Sequence, residues 1–175
     1  MGIFDLRQKI NELKDARRKR KAAKPINLQS QNLSGADMRG ADLAGASIEY
    51  ANLRGANLEA ANLAGAKLDE TDLREANLRG ANLRGVGLYM ANLVGADLEE
   101  SDLSDAWGDS AEFSYARLSR ANLVGSRFST SKFNGASLNN AKLMNADLGC
   151  TNFVGADLRH ADMTSARLYD SDLIG

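Results

Sequence analysis

Few side chains in this sequence are equipped for chemistry, and their spacing keeps them apart. His160 is the single histidine and Cys150 the single cysteine. The two stand ten residues apart, and no further ligand is placed to complete a His/Cys metal site. Serine, threonine and aspartate recur, but no histidine is placed to form a nucleophilic triad with them. The glycines do not form the GxxxxGK[ST] loop that cradles phosphates. Aspartates are plentiful, yet most of those in the repeats recur at one fixed position of a five-residue pattern where Asn replaces Asp freely. That interchange points to hydrogen bonding with local backbone rather than to acid–base work. The sequence therefore predicts no enzyme, no catalytic residue, no metal and no cofactor.

The five-residue pattern is the dominant feature. "ANLRGANLEAANLAGAKLDE" runs from Ala51 to Glu70, and the same register holds without insertion from Ile26 to Gly175. With Ala in slot 1, slot 3 falls at Leu28, Leu33, Met38 and every fifth residue to Leu173. Slots 1 and 3 are two apart, so in an extended segment a small and a large residue share one face while slots 2 and 4 point the other way. From slot 3 to the next slot 1 is three residues, which breaks that alternation and forces a turn in every repeat. Glycine in slot 5 suits a turn position with positive φ. Such a chain coils, stacking each repeat on an equivalent one in parallel.

The coil length is legible as well. Taking every fourth repeat from Leu28 as side 1, slot 5 reads Ser30, Tyr50, Glu70, Met90, Ser110, Thr130, Cys150 and Asp170, with no glycine. All twelve slot-5 glycines fall on the other three sides. Phe113, Phe133 and Phe153 are also spaced by twenty. A period of twenty predicts a four-sided rod of seven and a half coils with slots 1 and 3 inside. Gly108 is the one slot 3 without a large side chain, so a void or local bulge is expected there, with Phe113 or Phe128 filling it. The indole of Trp107 is expected over the bare Gly87 backbone one coil away, with the Arg127 guanidinium near its other face.

These A(D/N)LXX repeats resemble the pentapeptide-repeat protein family over residues 26–175. The resemblance implies an all-β fold, a right-handed quadrilateral parallel β-helix. It implies less about activity, because fold does not fix function.

Residues 1–25 differ. Ile3, Leu6, Ile10 and Leu13 form one apolar stripe on a predicted basic amphipathic α-helix, and Pro25 marks its boundary with the repeats. The helix is read as a cap over the first coil; a dimerisation helix and a partner-binding arm are the alternatives. The run Arg17-Arg18-Lys19-Arg20-Lys21 suits a helix C-terminus, and no direct nucleic-acid binding is expected from it. Residues 1–25 hold nine of the 22 basic residues and three of the 23 acidic ones. The repeats are therefore mildly acidic. One cysteine, no apolar stretch long enough to span a membrane and no apolar leader segment predict a cytoplasmic protein with no membrane span; the family resemblance implies a bacterial one.

Specificity must lie in the outward slots. Side 1 carries Tyr50, Tyr89, Met90, Trp107 and Tyr169, a candidate partner surface. Packing of these large residues down their own column is the alternative. Asp97, Glu99, Glu100, Asp102, Asp105, Asp109 and Glu112 form a candidate acidic band, with no Lys or Arg between Arg84 and Arg117. Arg74, Arg79 and Arg84 precede it as a basic belt. Slot 4 of side 3 reads Arg39, Glu59, Arg79, Glu99, an alternating ladder that allows pairing between coils. Val154, Tyr169, Leu173 and Ile174 make a candidate dimer end, predicting a homodimer joined through residues near 154–175. The preferred function is a non-catalytic scaffold presenting a rigid rod to a protein partner. The alternative comes from the resemblance: some pentapeptide-repeat proteins bind bacterial type II topoisomerases such as DNA gyrase as acidic mimics of DNA and confer quinolone resistance. The basic belt, the basic tail and the absence of a C-terminal dimerisation helix depart from that subgroup.

Overall fold

A computed structural model describes residues 26–174. The helix expected before Pro25 lies outside the described residues, as does Gly175.

From Ile26 onward the chain is a four-sided parallel β-helix. Each slot-2 residue bridges in parallel to the residue twenty further on, Asn57 to Asn77 and Asn77 to Asp97 for example. One coil is therefore four repeats. The ladder is regular: Leu58 N donates to Asn77 O at 2.7 Å, Ala60 N to Arg79 O at 2.9 Å, and Asn77 N to Ala56 O at 2.9 Å. Slot 1 closes each turn on slot 3 of the preceding side, as in Ala61 N to Leu58 O at 2.9 Å.

Slots 1 and 3 are inside, as the alternation requires. Leu58 and Leu78 have no exposed surface, and a slip of one residue would have turned both outward. Where slot 1 is Ser or Thr on side 2, its hydroxyl is bonded to side 1 of the coil below. Thr71 Oγ1 donates to Ile48 O at 3.0 Å and Thr151 Oγ1 to Phe128 O at 3.1 Å. A buried hydroxyl satisfied in this way costs little.

The motif's Asn/Asp has a direct physical role. Every Asn or Asp in slot 2 accepts, through Oδ1, the N–H of slot 4 in the same repeat; Asn57 with Glu59 N at 3.1 Å and Asp97 with Glu99 N at 3.1 Å are examples. The slot-4 N–H points away from the ladder, and a short acceptor two residues back satisfies it. Asn122 Nδ2 also reaches Asp102 Oδ1 at 2.9 Å one coil below.

Slot 5 is left-handed throughout, glycine or not: φ is 63° at Gly55, 63° at Tyr50 and 58° at Thr130. The prediction of positive φ at the corners therefore extends to side 1, which has no glycine to relieve it.

Gly108 is the one slot 3 without a side chain. No void is needed there, because the backbone itself closes up. A Cβ at residue 108 would stand 2.8 Å from the Leu88 carbonyl carbon. Phe113 and Phe128 do meet, edge-on with centroids 5.1 Å apart, and Phe113 stacks on Phe133 at 4.6 Å. Phe133 continues to Phe153 at 5.2 Å, giving the predicted aromatic column.

The two ends differ. Leu28 and Leu33 in the first coil are 1% exposed. Near the other end Leu158, Met163 and Leu168 are only partly buried, and Leu173 and Ile174 are 49% and 72% exposed.

Candidate interaction surface

The outward aromatics fall into two groups. Trp107 lies across Gly87 of the coil below: a Cβ at residue 87 would meet its ring at 2.6 Å. Tyr169 covers Gly149 in the same way, and Tyr115 covers Gly135 one coil above, where a Cβ would stand 2.8 Å from the ring. These rings close gaps that glycine leaves in the wall, the service aromatics give to glycines in sheets. The predicted position of Trp107 over Gly87 therefore holds. Tyr115, the most exposed of the tyrosines, stood outside the candidate surface, and its spacing of twenty from Gly135 was the signal that could have found it.

Tyr50, Tyr89 and Met90 face no glycine. They lie at the corner between sides 1 and 2, in slots 4 and 5, and are 59%, 45% and 51% exposed. Tyr50 and Met90 hold φ of 63° and 53°. A bulky side chain in that region costs free energy of order 1–3 kcal/mol. The corner is built by direct stacking: Tyr50 N donates to Asp69 O at 3.0 Å, Glu70 N to Tyr89 O at 2.7 Å and Met90 N to Asp109 O at 3.1 Å. Apolar and acidic rungs therefore alternate up the rod.

The acidic band is largely neutralised from both sides. Arg79 bonds to Glu99 and reaches Glu100 at 3.5 Å from below. Arg117 approaches Asp97 and Glu99 at 3.3 Å from above, and Arg120 approaches Glu100 at 3.3 Å. Arg84 reaches Asp105 at 3.3 Å, and Lys132 reaches Glu112 at 3.0 Å. Asp102 accepts from Ser104 N and Asn122 Nδ2. Burial raises the Glu99 carboxyl, but hydrogen bonds from Arg79 and Arg117 outweigh it and hold the group below the usual carboxylate range. The side-3 ladder forms at its upper rungs; Arg39 turns instead to Asp37 of its own repeat at 2.9 Å. Asp109 belongs to the alternating corner rather than to this network.

Two predicted chemical residues stay apart from any site. His160 is an exposed corner residue, and Cys150 is an exposed free thiol. A polar groove of about 380 Å³ runs along the next corner, lined by Gly125, Arg127, Asn145, Asp147, Ser165 and Arg167. Asp147 stands between its two arginines, 3.9 Å from Arg167. No helix among the described residues is long and apolar enough to cross a membrane.

The pentapeptide-repeat family profile matches in 8 copies, over residues 26–59, 56–88, 111–149 and 151–175. The chain belongs to the pentapeptide-repeat family, and with membership comes the right-handed quadrilateral β-helix. Among solved structures, HetL from the cyanobacterium Nostoc sp. strain PCC 7120 is 29% identical with a TM-score of 0.52, covering 95% of this chain and 94% of its own. HetL is described as a pentapeptide-repeat protein involved in regulating heterocyst differentiation. Rfr23 from the cyanobacterium Cyanothece 51142 is 21% identical with a TM-score of 0.49, covering 85% of this chain and 88% of its own. QnrB1, a plasmid-mediated fluoroquinolone resistance protein, is 18% identical with a TM-score of 0.48, covering 82% of this chain and 90% of its own. No curated relative matches the chain.

Proposed function

We propose that this protein is a non-catalytic cytoplasmic scaffold, a rigid rod that presents side 1 to a protein partner. The observation that carries the reading is the corner holding Tyr50, Tyr89 and Met90. There, large apolar side chains stand exposed, and two of them, Tyr50 and Met90, hold a left-handed backbone that strains them. Such strain is retained where it serves an interaction. Trp107 and Tyr169 continue the proposed surface along side 1. The C-terminal coil offers a second contact. Val154, Tyr169, Leu173 and Ile174 are exposed together, and a two-fold pairing of these ends, giving a homodimer through residues near 154–175, would cover them.

Topoisomerase binding by DNA mimicry requires a long uninterrupted negative field. Five of the seven band carboxylates are instead held by Arg or Lys of this same chain. Supercoiling by purified DNA gyrase with excess protein added should proceed unchanged. Inhibition would overturn the scaffold reading in favour of mimicry. Light scattering at high concentration should give a dimer that Ile174→Asp dissociates; a monomer would remove the proposed C-terminal contact.

A further inference from the structure

We infer that the side-1 corner from Glu49 to Asp109 docks a basic, apolar segment of a partner protein. The inference rests on the scaffold reading and adds the chemistry of the partner.

Four carboxylates share this corner with Tyr50, Tyr89 and Met90. Glu49 lies one coil below Asp69 and Glu70, and Asp109 lies one coil above Tyr89 and Met90; none of the four carboxylates is in an ion pair within the described residues. The contrast with the band is sharp, because there most carboxylates have a guanidinium or ammonium within 4 Å. Nearby cations are engaged elsewhere: Arg54 holds Glu75 at 2.8 Å, and Arg74 holds Asp72 at 2.6 Å. On side 1, Lys67 is the one cation below Arg127, set against four acids. Glu49 adds a separate signal. Its Oε2 is buried and has no hydrogen-bond partner among the described residues, a state that costs free energy until a donor arrives.

Charge complementarity selects the occupant. Asp69 Oδ1 accepts the Tyr89 N–H at 3.0 Å, and ammonium or guanidinium groups would meet the remaining carboxylate oxygens through charge-assisted hydrogen bonds. Arginine could also lie on the tyrosine faces, and apolar residues between the cations would cover Met90 and the rings. DNA, RNA and an anionic membrane are all repelled by the same charge. Four rungs at about 4.8 Å make a strip on the order of 15 Å long, the reach of a short segment rather than of a domain. The ladder edges point along the rod axis, so the segment is held by side chains and not by strand addition.

A random peptide library displayed on phage, panned on full-length protein, tests this. Three variants serve as competitors and are each checked for an unchanged melting transition. One removes strip charge (Glu49→Gln, Asp69→Asn, Glu70→Gln, Asp109→Asn). One removes apolar surface (Tyr50→Ser, Tyr89→Ser, Met90→Ser). One removes band charge (Glu100→Gln, Asp105→Asn). The double variant Glu70→Gln, Asp109→Asn alters exposed corners only and stands in if the fourfold variant fails to fold. Enriched peptides should be net basic with apolar residues interleaved. They should lose on the order of tenfold in affinity on the strip-charge variant, weaken with salt, fail on the apolar variant and bind the band variant normally. Peptides that fail on the apolar variant yet ignore the strip-charge variant overturn the basic partner and leave the scaffold reading intact. A library with no peptide sensitive to either variant, or with peptides lost on the band variant, overturns both.

Discussion

The acidic band and the side-1 corner carry similar residues and differ in what those residues face. In the band, Glu99 sits between Arg79 and Arg117, each supplied by a coil one rung away. At the corner, exposed Glu70 stands between Tyr50 and Met90 and exposed Asp109 stands one coil above Tyr89, with no cation in ion-pair range among the described residues. Read along the chain, the band is the stronger acidic feature, five carboxylates from Asp97 to Asp105 with no base among them. Read across the coils, it is the weaker one. In a four-sided solenoid the neighbour that neutralises a charge lies twenty residues away, so local charge runs mislead and column composition decides.

The comparison can be broken most forcefully through what both regions share. Leu98 is fully buried beneath the band. Leu98→Ala should lower the unfolding free energy by about 2–5 kcal/mol in urea titration, well beyond the effect of any charge change above it. A smaller loss would mean that the core does not carry the rod. Asp97→Ala comes next, at about 1–2 kcal/mol, because it strips the acceptor from Glu99 N and a partner from Arg117. Asp97→Asn keeps the acceptor and should recover most of that loss. Equal losses for the two would remove the backbone role assigned to slot 2.

Acid should act on the band and on the Asp157 site in the same direction. The Asp157 carboxyl is lowered to about 2, chiefly by the Arg159 side chain and then by the Arg159 backbone N–H. Glu99 is also lowered. Groups held below their unfolded values, near 4 for carboxylates, contribute fully above that pH, and the contribution is lost as pH falls through the folded value. Glu99→Gln should therefore flatten the acid limb of the stability profile between about pH 4 and lower. An unchanged limb would mean the arginines do not hold it.

At the corner the expected sign reverses. Tyr50→Gly should stabilise the free protein by about 1 kcal/mol, since glycine relieves the left-handed corner, while weakening partner binding. Loss of stability would show that Tyr50 packs as structure. Smallest of all, Asp109→Asn should shift stability by no more than about 0.5 kcal/mol.

The legible part of this protein is what repeats. Slot 3 at Leu58 and Leu78, the Asn/Asp acceptors and the Phe113–Phe133–Phe153 column all follow from periods of five and twenty, because one repeat's geometry is every repeat's geometry. Gly108 was read as a void or local bulge filled by Phe113 or Phe128, and a missing side chain does not reveal how far the backbone itself closes the space. Trp107 over Gly87 was legible from the spacing of twenty, and the same spacing offered Tyr169 over Gly149 and Tyr115 over Gly135. The neutral band was half visible: the Arg79–Glu99 rung lay in the alternating ladder, but the Arg117 and Arg120 contacts depend on side-chain reach, which no period encodes.

Carboxylate footprinting tests most directly whether pairing across coils decides which charges are available. Glu70, Asp109, Glu100 and Asp105 are all exposed, and among the described residues only the last two are ion-paired. With a carbodiimide and a small amine at low salt, Glu70 and Asp109 should label faster than Glu100 and Asp105. The difference should shrink as salt screens the pairs. Equal rates at low salt, or faster labelling of Glu100 and Asp105, would contradict the account.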